Sequence, residues 1–119
     1  MVRVIRADEA VDLQLPGRKS LELVSAAVGS AAITLRLVEI PVPKPGEALR
    51  AMHRHSGYEE CMYVLAGQGS SETELGATPV TAGDTILVPP GELHVTRNTG
   101  STPLRMLCFF PTADCSEQK

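Results

Sequence analysis

His53 and His55 flank a single residue in the run AMHRHSGYEECMYVLAGQG, Glu60 follows a few positions later, and His94 lies in PPGELHV. Side chains alternate along a β-strand, so His53 and His55 share a face where the segment is extended. Ser56-Gly57 is a turn signal, and reversal there brings Glu60 back beside the histidine pair. His94 follows a second turn signal, Pro89-Pro90-Gly91, and opens another short strand. Three imidazoles and one carboxylate converging inside a β-structure form a donor set for one divalent transition metal ion. Fe, Mn, Ni, Co and Zn all suit it, and residue type alone does not choose among them. Such a site polarises a carbonyl, generates hydroxide, or binds a chelating substrate beside dioxygen.

The elements that must position these residues are strands. Runs over 21–25, 31–40, 51–55, 60–65, 70–75, 78–81, 85–88, 93–98 and 104–110 read as strands, with turns every eight to twelve residues. Pro16-Gly17 and Val28-Gly29-Ser30 mark reversals, and PVPKPG (41–46) lacks the donors a central strand needs. Val2 to Arg6 reads as an opening strand on a short N-terminal arm, followed by an irregular piece to Leu15, and Thr112 to Lys119 as a frayed tail. Helix is nearly absent, and the pattern implies an all-β antiparallel sandwich or barrel. With 119 residues, 43% of them hydrophobic, the chain is expected to form one domain, 1–119, with a core of its own.

Composition excludes several function classes. A net charge of −3 with scattered Lys and Arg argues against a nucleic-acid surface, and the absence of Trp argues against stacking platforms. MVRVIRADEA has charges where a signal peptide needs an apolar core, and no run is long and apolar enough for a membrane helix. A cytoplasmic protein without membrane or nucleic-acid partners is expected. Cys61, Cys108 and Cys115 follow no paired pattern, so no disulfide framework is expected.

The spacing resembles the cupin family, small double-sheet jelly rolls (double-stranded β-helix barrels) that hold one metal ion. The family's first motif is written G(X)5HXH(X)3,4E(X)6G. It runs here through Gly46, His53, His55, Glu60 and Gly67, with six residues instead of five after Gly46. The second, G(X)5PXG(X)2H(X)3N, is met at every position by Gly83, Pro89, Gly91, His94 and Asn98. The resemblance implies a jelly-roll barrel with His53, His55, Glu60 and His94 as metal ligands. Glu59 also fits the spacing, but Glu60 shares strand parity with Met62 and Val64. The resemblance further implies a homodimer, with Val2 to Arg6 as the exchanging or augmenting element.

Around that site, Gly67, Gly83 and Gly91 are turn residues, Asn98 is a loop hydrogen-bonder, and Met52, Met62 and Phe110 are wall candidates. Cys61 is expected between sheets or at a subunit contact, Cys108 as a small core residue, Tyr63 in packing, and Tyr58 exposed at the rim. Among the arginines, Arg54 faces away by alternation. Arg36 and Arg105 sit in apolar strands, so one of these two is expected to point into the cavity, and Arg50 is a further cationic candidate for an anionic substrate. No catalytic residue is singled out. The leading expectation is a non-haem metal-dependent dioxygenase or related oxidoreductase on a small chelating metabolite such as a β-diketone, enediol or catechol-like acid. The alternatives are an oxygen-independent isomerase, decarboxylase or lyase, with Glu39 or Glu92 as titrating group, and a non-catalytic metal- and metabolite-binding protein.

Overall fold

In the computed structural model, which describes residues 1–115, every strand pairs antiparallel and the strands form two sheets. The strands are β1 (Val11–Asp12), β2 (Lys19–Val24), β3 (Thr34–Ile40), β4 (Glu60–Ala66), β5 (Gln68–Thr73), β6 (Gly76–Thr81), β7 (Thr85–Val88), β8 (His94–Asn98) and β9 (Leu104–Phe110). The larger sheet has the order β1-β2-β3-β9-β4-β7 and the smaller β6-β5-β8. Helical structure among the described residues is confined to two 3-10 turns, Ala7–Glu9 and Ala26–Val28. No helix there is long and apolar enough to cross a membrane.

Period-two burial builds the core. On β4, Glu60, Met62 and Val64 are buried while Tyr63 and Leu65 are exposed; on β9, Leu104, Met106, Cys108 and Phe110 are buried. Apart from Glu60, the buried side chains of these two strands join Ile40, Ile86, Val88 and Cys115 in one hydrophobic cluster. The chain changes sheet between β4 and β5 through Gly67 alone. That residue has φ +91°, and a Cβ there would sit 2.7 Å from the Pro103 carbonyl oxygen, so only glycine fits this corner. Asn98 ties the far end of β8 by donating to the carbonyls of Ile40 and Thr102, at 2.9 and 2.8 Å.

Several expectations are corrected. Val2 to Arg6 forms no strand; Arg3 instead donates to the Val28 carbonyl at 2.6 Å. Residues 51–55 form no strand either, only a bridge at His53, because the chain meets the edge of β8 at a single residue. Thr112 to Cys115 is no frayed tail. Thr34 Oγ1 donates to the Thr112 carbonyl at 2.7 Å, Ala26 N–H to the Ala113 carbonyl at 3.1 Å, and Cys115 is buried. The rest of that tail, 116–119, lies outside the described residues.

Candidate metal centre

Three separate stretches of backbone deliver the four side chains. Glu60 opens β4 in the large sheet and His94 opens β8 in the small one. His53 exchanges both backbone hydrogen bonds with His94, each 2.9 Å, and the Gly91 N–H donates to the His55 carbonyl at 2.7 Å. The short segment carrying both histidines is therefore pinned at two points, although it is not a strand. Gly91, with φ +80°, shapes the turn that makes the second tie.

His53, His55, Glu60 and His94 each present one donor atom, and these atoms lie within 4.8 Å of one another. The rings of His53 and His94 are 4.4 Å apart centre to centre, and those of His55 and His94 are 4.9 Å apart. His55 Nε2 lies 2.9 Å and His94 Nε2 3.2 Å from the same oxygen, Glu60 Oε1. His55, Glu60 and His94 are buried, and His53 is half-buried on the open side. Glu59 is exposed, as parity requires.

Protonation follows from these contacts. Burial pushes Glu60 up, but hydrogen bonds from His55 and His94 override it and hold the carboxyl at about 2. His53 is lowered to about 4 by burial and by its neighbours His94 and His55. Burial also pulls His94 down, yet its contacts to Glu60 and to the Glu92 carbonyl outweigh that and the net shift is upward. A carbonyl only accepts, so the 2.8 Å contact to Glu92 O fixes a proton on His94 Nδ1 and leaves Nε2 aimed at the centre. The donor set, its convergence and this backbone anchor fit a divalent transition ion, which the four side chains could hold.

The cavity beside the cluster measures about 50 Å³. Its walls include Met62, Met106, Cys108 and Phe110, but not Met52. Of the arginines weighed from sequence, Arg36 and Arg50 line it, whereas Arg105 is engaged with Glu39 at 2.9 Å outside it and Arg54 is exposed. Arg36 lies 3.8 Å from Glu22 and 5.4 Å over the Phe110 ring. Arg50 donates to the Thr96 carbonyl at 2.9 Å. Arg18 also lines the cavity, and sequence reasoning missed it; its parity with Ser20 and Glu22, both turned inward on β2, was the available signal. Burial lowers the pKa of Arg18 and of Arg50, and a neighbouring arginine lowers each further, Arg36 for the first and Arg18 for the second. Tyr58 is not an exposed rim residue. Its ring stacks 5.7 Å from His55 and stands edge-on to Phe110 at 5.9 Å, because the Ser56-Gly57 turn folds it back over the core. Tyr63 is exposed on the outer face rather than packed. Cys108 is buried as expected, and burial drives its thiol pKa well up. Glu39 and Glu92 lie outside the cavity lining.

A two-sheet antiparallel jelly roll with a His/Glu cluster between its sheets is the architecture that the two motifs imply. The chain belongs to the cupin family: the family model described as Cupin domain matches residues 42–110. It is 38% identical over 72 residues to an uncharacterised protein of Methanocaldococcus jannaschii, covering 60% of this chain and 56% of that protein. It is 36% identical over 66 residues to an oxalate-binding protein of Thermotoga maritima, covering 56% and 54% respectively. The aligned region thus spans little more than half the length of these curated relatives. Among solved structures, a predicted oxalate decarboxylase of Thermotoga maritima superposes with TM-score 0.74 at 24% identity, over 92% of this chain and 99% of that one. The polyketide cyclase RemF of Streptomyces resistomycificus gives TM-score 0.76 at 21% identity, over 93% and 80%. At these identities the likeness is one of fold.

Proposed function

We propose that the protein is a metal-dependent cupin for a small anionic oxygen chelator, a dicarboxylate or 2-oxo acid of a few heavy atoms. His53, His55, Glu60 and His94 would hold one divalent ion, and Arg18, Arg36 and Arg50 would receive the anion. The observation that carries this is the shared cavity: three arginines and three of the four cluster residues, His53, Glu60 and His94, line the same space of about 50 Å³. Cations crowded in a partly buried pocket disfavour one another, and an anionic ligand relieves that repulsion. The likeness to an oxalate-binding protein supports the same reading.

When bound, the ion supplies Lewis acidity and, if redox-active, oxygen chemistry. The protein's own groups bind and orient. Arg36 is held in place by Glu22 and the Phe110 ring, Arg50 by the Thr96 carbonyl, and Met62, Met106 and Phe110 exclude water. Beyond the would-be ligands no general base stands ready in this lining: the Cys108 thiol is held protonated by burial, and Glu22, outside the lining, is engaged by Arg36. Chemistry led by the metal, including the oxidoreductase or dioxygenase activity expected from sequence, therefore belongs to acidic chelators more than to neutral β-diketones. The relative's binding role favours a second reading, capture without turnover. Three free thiols suit a reducing compartment such as the cytoplasm.

Calorimetry with oxalate, malonate and neutral diacetyl on Mn(II)-loaded protein tests the binding, and oxygen uptake by Fe(II)-loaded protein separates turnover from capture. Dicarboxylates are expected to bind only the loaded protein and diacetyl weakly. Equal affinity for diacetyl would sink the anionic reading.

A further inference from the structure

Residues 13–18 join β1 to β2, and two of them, Leu15 and Arg18, line the cavity beside the His/Glu cluster. Leu15 is half-buried although its neighbours Gln14 and Pro16 are exposed. Local bonds fix the place at which it turns inward. Gln14 has φ +54°, a left-handed conformation uncommon outside glycine, and its N–H donates to Asp12 Oδ1 at 2.8 Å. The Leu13 N–H donates to the Ser20 carbonyl and Arg18 Nη1 to the Pro16 carbonyl, both at 2.9 Å. Gly17, with φ +76°, packs directly on the Arg50 side chain, and a Cβ there would sit 2.7 Å from Arg50 Cδ. Arg50 in turn donates to the Thr96 carbonyl on β8. The connection thus leaves the large sheet and rests, through Arg50, on the small one. Leu15 is a fixed wall rather than a flap.

We propose that Leu15 is a specificity-determining residue that sets the length of acid the cavity admits. The inference rests on the reading of this cavity as the site of an acidic chelator. Leu15 and Arg18 also line a second hollow of about 450 Å³, together with Asp12, Lys19 and Glu39, and they are the two residues common to both spaces. They form the partition between a small inner cavity and a much larger outer one. Arg18 offers a charge that a carboxylate can meet, whereas Leu15 offers only hydrocarbon, so the apolar end of the ligand faces Leu15. An enclosed water needs ~10–15 Å³, so the inner space of about 50 Å³ takes roughly four waters, the bulk of a short-chain acid. Each methylene beyond that length must displace an anchored side chain, and a misfit of one methylene costs about tenfold in affinity. The substrate class that follows is a 2-oxo acid with a short aliphatic end.

Two measurements on the full chain test the wall and the length limit separately. Cys108 lines the inner cavity, while Cys115 is buried outside that lining and reports unfolding. Methyl methanethiosulfonate labelling, read by peptide mass spectrometry, is expected to be at least roughly tenfold faster at Cys108 in Leu15→Ala, with Cys115 unchanged. Leu49→Ala, which trims an exposed side chain outside the inner lining, should leave both rates alone. A Cys108 rate that is unchanged, or raised only in step with Cys115, would overturn the wall. Calorimetry on Mn(II)-loaded protein then compares pyruvate, 2-oxobutyrate and 2-oxohexanoate. Wild type is expected to bind 2-oxohexanoate at least roughly tenfold more weakly than pyruvate, and Leu15→Ala to bring the two within about threefold. Leu15→Phe should move the loss down to 2-oxobutyrate. Equal affinity of wild type for pyruvate and 2-oxohexanoate would overturn the length limit. No acid bound by wild type, with the Cys108 response intact, would overturn the acid-chelator reading and the length limit with it, while the wall stands.

Discussion

Metal uptake is expected to expel a proton from His94, so affinity should depend on pH in a way the geometry specifies. In the metal-free protein Glu60, at about 2, is already ionised near neutrality, and His53, at about 4, is already neutral. His94 differs. Its Nδ1 proton is committed to the Glu92 carbonyl, its Nε2 faces Glu60 Oε1 at 3.2 Å, and its pKa is raised. A cation received at Nε2 must displace the proton there. Below the raised pKa, each unit fall in pH is therefore expected to cost about 1.4 kcal/mol of apparent metal affinity, a factor of ten in Kd. Above it, this dependence disappears. Calorimetric titration of Ni(II) into chelator-stripped protein, in buffers of different ionisation enthalpy, counts the protons released. Release attributable to His94 should approach one proton below its raised pKa and decline as pH rises through it. Glu60→Gln removes the carboxylate that raises His94, so its proton release at neutral pH should shrink. Equal counts across the pH range, or a wild-type count in Glu60→Gln, would refute the assignment.

Metal-free stability follows the same groups with different signs. Glu60 has a folded pKa below its ordinary value of 4.5, so its contribution is present above that value and lost as pH falls toward about 2. The folded pKa of His53, about 4, lies below 6.5, so stability from this group also declines as pH drops through that window. His94 acts oppositely, and its contribution is lost as pH rises through its raised pKa; urea melts of metal-free protein against pH check all three. Arg36→Met should leave metal content intact, weaken dicarboxylate binding at least roughly tenfold, and destabilise by about 3 kcal/mol by stranding Glu22. Unchanged dicarboxylate affinity in that variant would count against an anionic ligand. Leu104→Ala deletes a fully buried side chain and is expected to cost about 3 kcal/mol in denaturant melts. Gly67→Ala meets both a left-handed backbone and the Pro103 carbonyl, so a loss of more than about 1 kcal/mol is expected.

Local chemistry made much of this protein legible in the sequence. Turn glycines, strand parity and the spacing of His53, His55, Glu60 and His94 are short-range properties of a chain, and β7 and β9 fall where alternation places them. Parity also separated Glu60 from Glu59. Other outcomes needed the third dimension. Whether Arg36, Arg50 or Arg105 enters the cavity depends on which sheet face each strand turns inward and on which acid waits across the register. Glu22 meets Arg36 from β2, and Glu39 meets Arg105 on the far side. Tyr58 lies over His55, and Thr112 to Cys115 close against β3 and the Ala26 turn, through contacts between residues distant in the chain. The sequence alone determined a list of donors and, for Glu60 and His94, the strands that carry them. Only tertiary packing decided the company they keep, because sheet register and face-to-face contact are long-range and leave no periodic trace in one-dimensional text.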